Sequence, residues 1–204
     1  MNEFLKTIIS SIWAGIAISI GGIAFLCTKQ AIFFPIGLLI VCSYQLYLFT
    51  GKIPYAKIHD IPKLIFVFIG NTVGASLMGV IFGYAKPTLI ESAIEICKNK
   101  LAEGWKIIPL AMLCNVMIFI AVDTFKAKDV LPMFRVFVLW MATTTFVICG
   151  FEHCVANAFY FSLAGLFNLK VLIYLVTNMI WNAVGGILIH RSFYLIVDVM
   201  RDEE

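Results

Sequence analysis

The sequence predicts an all-α membrane protein: a single domain over residues 1–204, made of six transmembrane helices in an inverted three-plus-three repeat, with the second and fifth helices broken. Three observations lead there. The 204-residue chain is 62% hydrophobic and 13% charged, with a mean hydropathy of +0.98, whereas soluble domains carry roughly 25% charged residues. Its apolar residues gather into stretches long enough for a hydrocarbon core about 30 Å thick, which takes about 20 residues of helix to cross. A short pattern in the first half also returns in the second.

The first apolar segment, near 8–26, follows a charged start from Met1 to Lys6. No small-residue cleavage site follows it, so it reads as a retained helix rather than a signal peptide. The second, near 31–50, ends in Leu48-Phe49-Thr50-Gly51-Lys52, and a break is expected where Thr50 and Gly51 interrupt the run beside a lysine. The third, near 61–84, contains Asn71-Thr72-Val73-Gly74-Ala75. Between Pro87 and Gly104, the residues Glu91, Glu95, Lys98, Lys100 and Glu103 recur at helical spacing, which predicts a short amphipathic helix lying along the outer surface. The fourth segment lies near 106–125. The fifth, near 133–165, is too long for one crossing and is interrupted by Cys149-Gly150-Phe151-Glu152-His153. The sixth, near 170–190, contains Asn182-Ala183-Val184-Gly185-Gly186.

The third and sixth segments thus share N-x-V-G followed by a small residue. With three spans in each half, approximately 1–86 and 100–195, the second half enters the membrane from the opposite face. Such inverted repeats place a site at the midplane between broken helices, and irregular backbone at that depth survives only where protein or a water-filled cavity satisfies it. Gly51, Gly150, Glu152, Asn71 and Asn182 are therefore expected to be structural at the breaks. Small residues at this spacing also let helices pack closely.

The net charge of +3 is spread through connections rather than gathered into a basic block, which argues against nucleic-acid binding. The excess of Lys and Arg modestly favours both termini on the cytoplasmic side. The six cysteines form no C-x-x-C pair and read as small buried hydrophobes. An ionisable side chain inside a membrane marks a pathway by default, which singles out His153, whose imidazole can change charge near neutral pH. Glu152 is expected to face protein and accept from backbone amides freed by the break. No second carboxylate, nucleophile pair or metal-ligand cluster accompanies them, so neither an enzyme nor a cofactor is expected.

Gly150-Phe151-Glu152-His153-Cys154-Val155-Ala156-Asn157 resembles the G-F-E-H-S-x-A-N signature of the formate/nitrite transporter family, with Cys154 in place of serine. Leu48-Phe49-Thr50-Gly51 is similar to that family's broken second helix, Gly70-Asn71-Thr72-Val73-Gly74-Ala75 to its third, Cys114-Asn115 to its fourth and the Asn182 segment to its sixth. The resemblance implies an aquaporin-like fold of six helices, a homopentamer in a bacterial-type plasma membrane, and a pore for a small monovalent anion through each protomer. It assigns His153 as the central histidine and Thr50 as the residue facing it. Leu38, Leu48 and Phe49 become the cytoplasmic constriction, and Phe34, Ile118 and Phe146 the outer one. Asn115 becomes a polar pore-lining residue, and Lys100, or alternatively Lys98, the lysine that attracts anions. The expected substrate is a weak-acid anion of the formate, nitrite, hydrosulfide, acetate or lactate class. The rival expectation is an aquaporin-like channel for a neutral solute such as water, ammonia or a small polyol.

Overall fold

The structure is a computed structural model that describes residues 2–202, all of its regular elements being helices. Four of the expected spans are formed by long helices: α1 (Glu3–Thr28), α4 (Ile61–Ala85), α6 (Ile107–Lys126) and α9 (Leu169–Asp202). The other two expected segments each hold two shorter helices. α2 (Ile36–Ser43) and the single turn α3 (Phe49–Lys52) occupy the second, while α7 (Pro132–Ile148) and α8 (Cys154–Leu163) occupy the fifth. The expected amphipathic helix is α5 (Ile90–Ala102), which buries Ala93 and Cys97, four residues apart, and packs against α8.

Within each half, the outer two spans lie side by side, α1 along α4 and α6 along α9. The repeated glycine explains why. A Cβ on Gly74 would collide with the carbonyl oxygen of Ile12, and one on Gly185 with that of Met112. Glycine at these two equivalent positions lets the backbones touch, which is how helices associate when the surrounding solvent is itself apolar. The distribution of side chains follows the same logic. Ser11, Ser19, Asn71, Asn115, Asn178 and Asn182 are fully buried, while Ile65, Phe66, Ile69, Val73, Leu77 and Val80 of α4 face outward. An outer surface this apolar suits hydrocarbon or a neighbouring protein, not water.

The two breaks are built alike. Tyr44 and Cys149 close the last turns of α2 and α7 by donating their N–H groups to Ile40 and Thr145. Leu46 N–H then reaches back to the Val41 carbonyl at 2.9 Å, and Phe151 N–H to the Phe146 carbonyl at 2.9 Å. This six-to-one bond is a Schellman ending, which needs a left-handed residue just before it. Gly150 supplies it in the second half with φ 66°, and Gln45 in the first with φ 54°.

The first break therefore differs from expectation. It lies at residues 44–48 and turns on Gln45, whereas Thr50 and Gly51 sit inside the helical turn that restarts the chain. Gly51 has an ordinary conformation, and a Cβ there would meet Val122 at 3.7 Å, an unstrained contact. Its place as a break-forming residue passes to Gln45.

One asparagine from the neighbouring helix clamps each break. Asn71 accepts from Phe49 N–H at 2.8 Å and donates to the carbonyls of Tyr47 and Ser11, both at 2.8 Å. Asn182 accepts from Cys154 N–H at 3.0 Å and donates to the carbonyls of Glu152 at 2.8 Å and Ala111 at 2.7 Å. Each carboxamide satisfies the first amide of the restarted helix, a carbonyl two residues earlier, and a carbonyl of the first span in its half. An unpaired backbone group at this depth would cost several kcal/mol, so one side chain supplies what the hydrocarbon cannot.

Candidate functional site

The two clamped breaks bring Thr50 and His153 together. The Thr50 hydroxyl lies 2.9 Å from His153 Nε2, and both residues are buried, at 0% and 2% exposure. His153 is also the N-cap of α8, its Nδ1 accepting the Ala156 N–H at 3.2 Å. That bond assigns the tautomer: Nδ1 accepts, so the ring hydrogen of the neutral imidazole sits on Nε2 and is donated to Thr50 Oγ1. The Thr50 hydroxyl hydrogen is then left over as a donor toward a third group.

Two phenylalanines pack on the histidine side of this pair. Phe34 and Phe146 meet edge to face with ring centroids 5.4 Å apart, and Phe146 stacks on His153 at 6.0 Å. Leu38, Leu48, Phe49 and Ile118 are all buried, and Phe49 packs on Phe68 at 5.5 Å. Leu48 also lines a cavity of about 400 Å³ at the end of the bundle where α6 finishes. Asn115 donates to the Asn182 carbonyl at 2.8 Å, and its buried Oδ1 has no hydrogen-bond partner among the described residues.

Glu152 faces protein, though its partners differ from the backbone amides expected. Its carboxylate takes Lys100 Nζ at 2.6 Å, Asn157 Nδ2 at 2.6 Å and the Tyr174 hydroxyl at 2.8 Å. The only amide of the break that a carboxamide satisfies is that of Cys154, through Asn182, so nothing there required an acid. Glu152 is 1% exposed, and three donors including a cation compensate its burial. Lys100, rather than the exposed Lys98, is the lysine the fold carries inward. It is held as an ion pair, not as a free charge.

Tyr174 extends this cluster, its hydroxyl lying 3.2 Å from Glu103 as well. A single hydroxyl hydrogen serves one carboxylate at a time. Burial first and the neighbouring Glu152 second push the Glu103 carboxyl up to about 7, with Lys100 and the Tyr174 hydrogen bond opposing. Tyr174 was not singled out from sequence, and Glu103 and Asn157 entered only as members of the amphipathic pattern and of the signature. Asn178, fully buried with neither side-chain atom hydrogen-bonded among the described residues, was missed too. An asparagine inside a predicted span was the available signal.

Long apolar helices, two interrupted helical segments and a buried polar pair packed against an aromatic ring fit an integral membrane protein of the channel or transporter class. Residues 1–196 match the formate/nitrite transporter family, and the chain belongs to that family. It is 30% identical over 103 residues to the formate channel FocA of Haemophilus influenzae, an alignment covering 47% of this chain and 36% of that protein. It is 26% identical over 190 residues to YrhG of Bacillus subtilis, an uncharacterized transporter, covering 83% and 71% of the two chains. Its fold matches that of a pentameric formate channel with formate bound, at 22% identity and TM-score 0.83, covering 96% and 98% of the chains. An ion channel of the same family superposes with TM-score 0.84 at 17% identity, covering 96% and 91%. The chain is a transport protein, and not an enzyme.

Proposed function

We propose that this protein is a channel for small monovalent anions of weak acids, formate being the first candidate, with a pore passing between the two helix breaks of each protomer. The observation that carries the reading is the Thr50–His153 pair, two buried polar side chains delivered by opposite halves of the chain, with Phe146 stacked on the histidine. The membership in a formate/nitrite transporter family supports it, as does the likeness to a protein named a formate channel.

In this reading, Leu38, Leu48 and Phe49 form the inner constriction and Phe34, Ile118 and Phe146 the outer one. The six spans form an aquaporin-like inverted repeat with both termini cytoplasmic, and five copies assemble. An anion in a dry constriction carries a large desolvation cost. The Thr50 hydroxyl, left as a donor by the histidine's tautomer, offers one compensating hydrogen bond, and the unpartnered Asn115 Oδ1 accepts from a protonated acid or a water. Proton linkage is part of this reading, because a neutral acid crosses an apolar constriction at a lower desolvation cost than a bare anion.

Flux into proteoliposomes of formate, nitrite, hydrosulfide, acetate and chloride at two external pH values tests the proposal. Weak-acid anions are expected to pass selectively, and faster from an acidic outside. Passage of water or ammonia without any of these anions would overturn it in favour of a neutral-solute pore.

A further inference from the structure

We propose that the cavity at the end of the bundle opposite Lys100 is a second anion-binding site, where the ammonium groups of Lys52 and Lys126 hold a small carboxylate or similar monovalent anion. The inference rests on the reading of the chain as an anion channel, but its test does not require transport.

The cavity measures about 400 Å³, and its lining includes both lysines. Its lining includes Leu48 and Gly51, which flank Phe49 and Thr50 in sequence, and Thr50 pairs with His153. Each ammonium group lies over an aromatic ring: Lys52 Nζ is 4.9 Å from the Tyr47 centroid and Lys126 Nζ 4.1 Å from that of Tyr55. Neither forms an ion pair among the described residues, where the only pairs are His59 with Asp60 and Lys100 with Glu152. The nearest acid on α6, Asp123, accepts the Tyr55 hydroxyl at 2.7 Å instead. Lys63 Nζ, 5.3 Å from the Tyr47 centroid, adds a third positive charge nearby. The remaining wall includes Val41, Val122 and Phe125, apolar side chains that strengthen the field of the ammonium groups inside the cavity. The contrast with the other end is chemical. There the lysine has a carboxylate 2.6 Å away, while here two lysines line one cavity and neither is paired with a carboxylate among the described residues.

The same wall contains a reporter, Cys42. In protein with the exposed Cys27 and Cys149 changed to serine, the cavity thiol is treated with an anionic methanethiosulfonate (ethylsulfonate) or a cationic one (ethyltrimethylammonium). Each rate, read by mass spectrometry, is divided by that reagent's rate with a free thiol. The anionic reagent is expected to be favoured about tenfold, to be slowed when formate replaces gluconate at constant ionic strength, and to lose its advantage in Lys52→Gln/Lys126→Gln. Lys52→Arg/Lys126→Arg should keep it. Leu46→Cys in a Cys42→Ser background serves as the reporter if Cys42 itself does not react. Charge-independent labelling, or no competition by formate, overturns the site. Labelling as expected in a protein that passes no formate would keep the site and sink the channel reading.

Discussion

Replacing Asn182 by alanine removes three hydrogen bonds at once, to Cys154 N–H at 3.0 Å, the Ala111 carbonyl at 2.7 Å and the Glu152 carbonyl at 2.8 Å. Each net bond contributes about 0.5–1.5 kcal/mol, and the groups left behind are buried without water to replace the loss. The expected cost is about 3 kcal/mol. In a domain of this length, each kcal/mol lowers the unfolding temperature by roughly 2–4 °C, so a fall of about 6–12 °C is expected in detergent. Asn71→Ala removes the equivalent three bonds and should cost the same. Asn115→Ala removes one bond and should cost about a third as much. Thermal unfolding followed by intrinsic fluorescence ranks the three variants. In liposomes the two clamp variants should also lose formate flux, because each releases one member of the Thr50–His153 pair. Clamp variants that unfold with the wild type, or no later-unfolding Asn115→Ala, would refute the claim that one carboxamide holds each break.

Thr50→Val leaves the His153 Nε2 hydrogen buried without its partner, at about 1–3 kcal/mol; flux should fall, and Thr50→Ser should restore it. Gln45→Gly relieves a left-handed conformation at a residue with a side chain and should raise stability by about 1 kcal/mol, read as a higher unfolding temperature. Glu103 gives a pH dependence with a definite sign. Its carboxyl is held up at about 7 against an ordinary value of 4.5, so between these values the folded chain keeps a proton the unfolded chain has lost. Stability should therefore decline as pH rises from 4.5 to 7 and level off above it. Glu103→Gln should flatten that slope, and an unchanged slope would remove Glu103 as its source.

The parts of this architecture that sequence revealed share a physical cause. Asn71 and Asn182 stood out because the same three bonds are needed in each half, and asparagine, with a donor amide and an acceptor oxygen, is the side chain that makes them. Gly150 stood out because a left-handed ending usually selects glycine. The first break was misplaced for the converse reason: Gln45 adopts that conformation with a side chain attached, and nothing in its identity announces it. The partners of Glu152 were hidden by distance along the chain, Lys100 and Tyr174 lying 52 and 22 residues away. The lysine-lined cavity was hidden likewise, since Lys52 and Lys126 meet only once α3 and α6 are packed.

The capping bond of His153 joins chemistry to mechanics. Its Nδ1 lone pair is the acceptor that begins α8, so a second proton on the ring has nowhere to go until the Ala156 N–H lets go. At the other end of the same helix, the Ser162 hydroxyl is tied to the Ser76 carbonyl of α4 at 2.7 Å. α8 is thus a short bolt, fastened to a neighbour at its tail and to a proton-accepting ring at its head. A proton taken up at Nδ1 is therefore expected to loosen the first turn of α8.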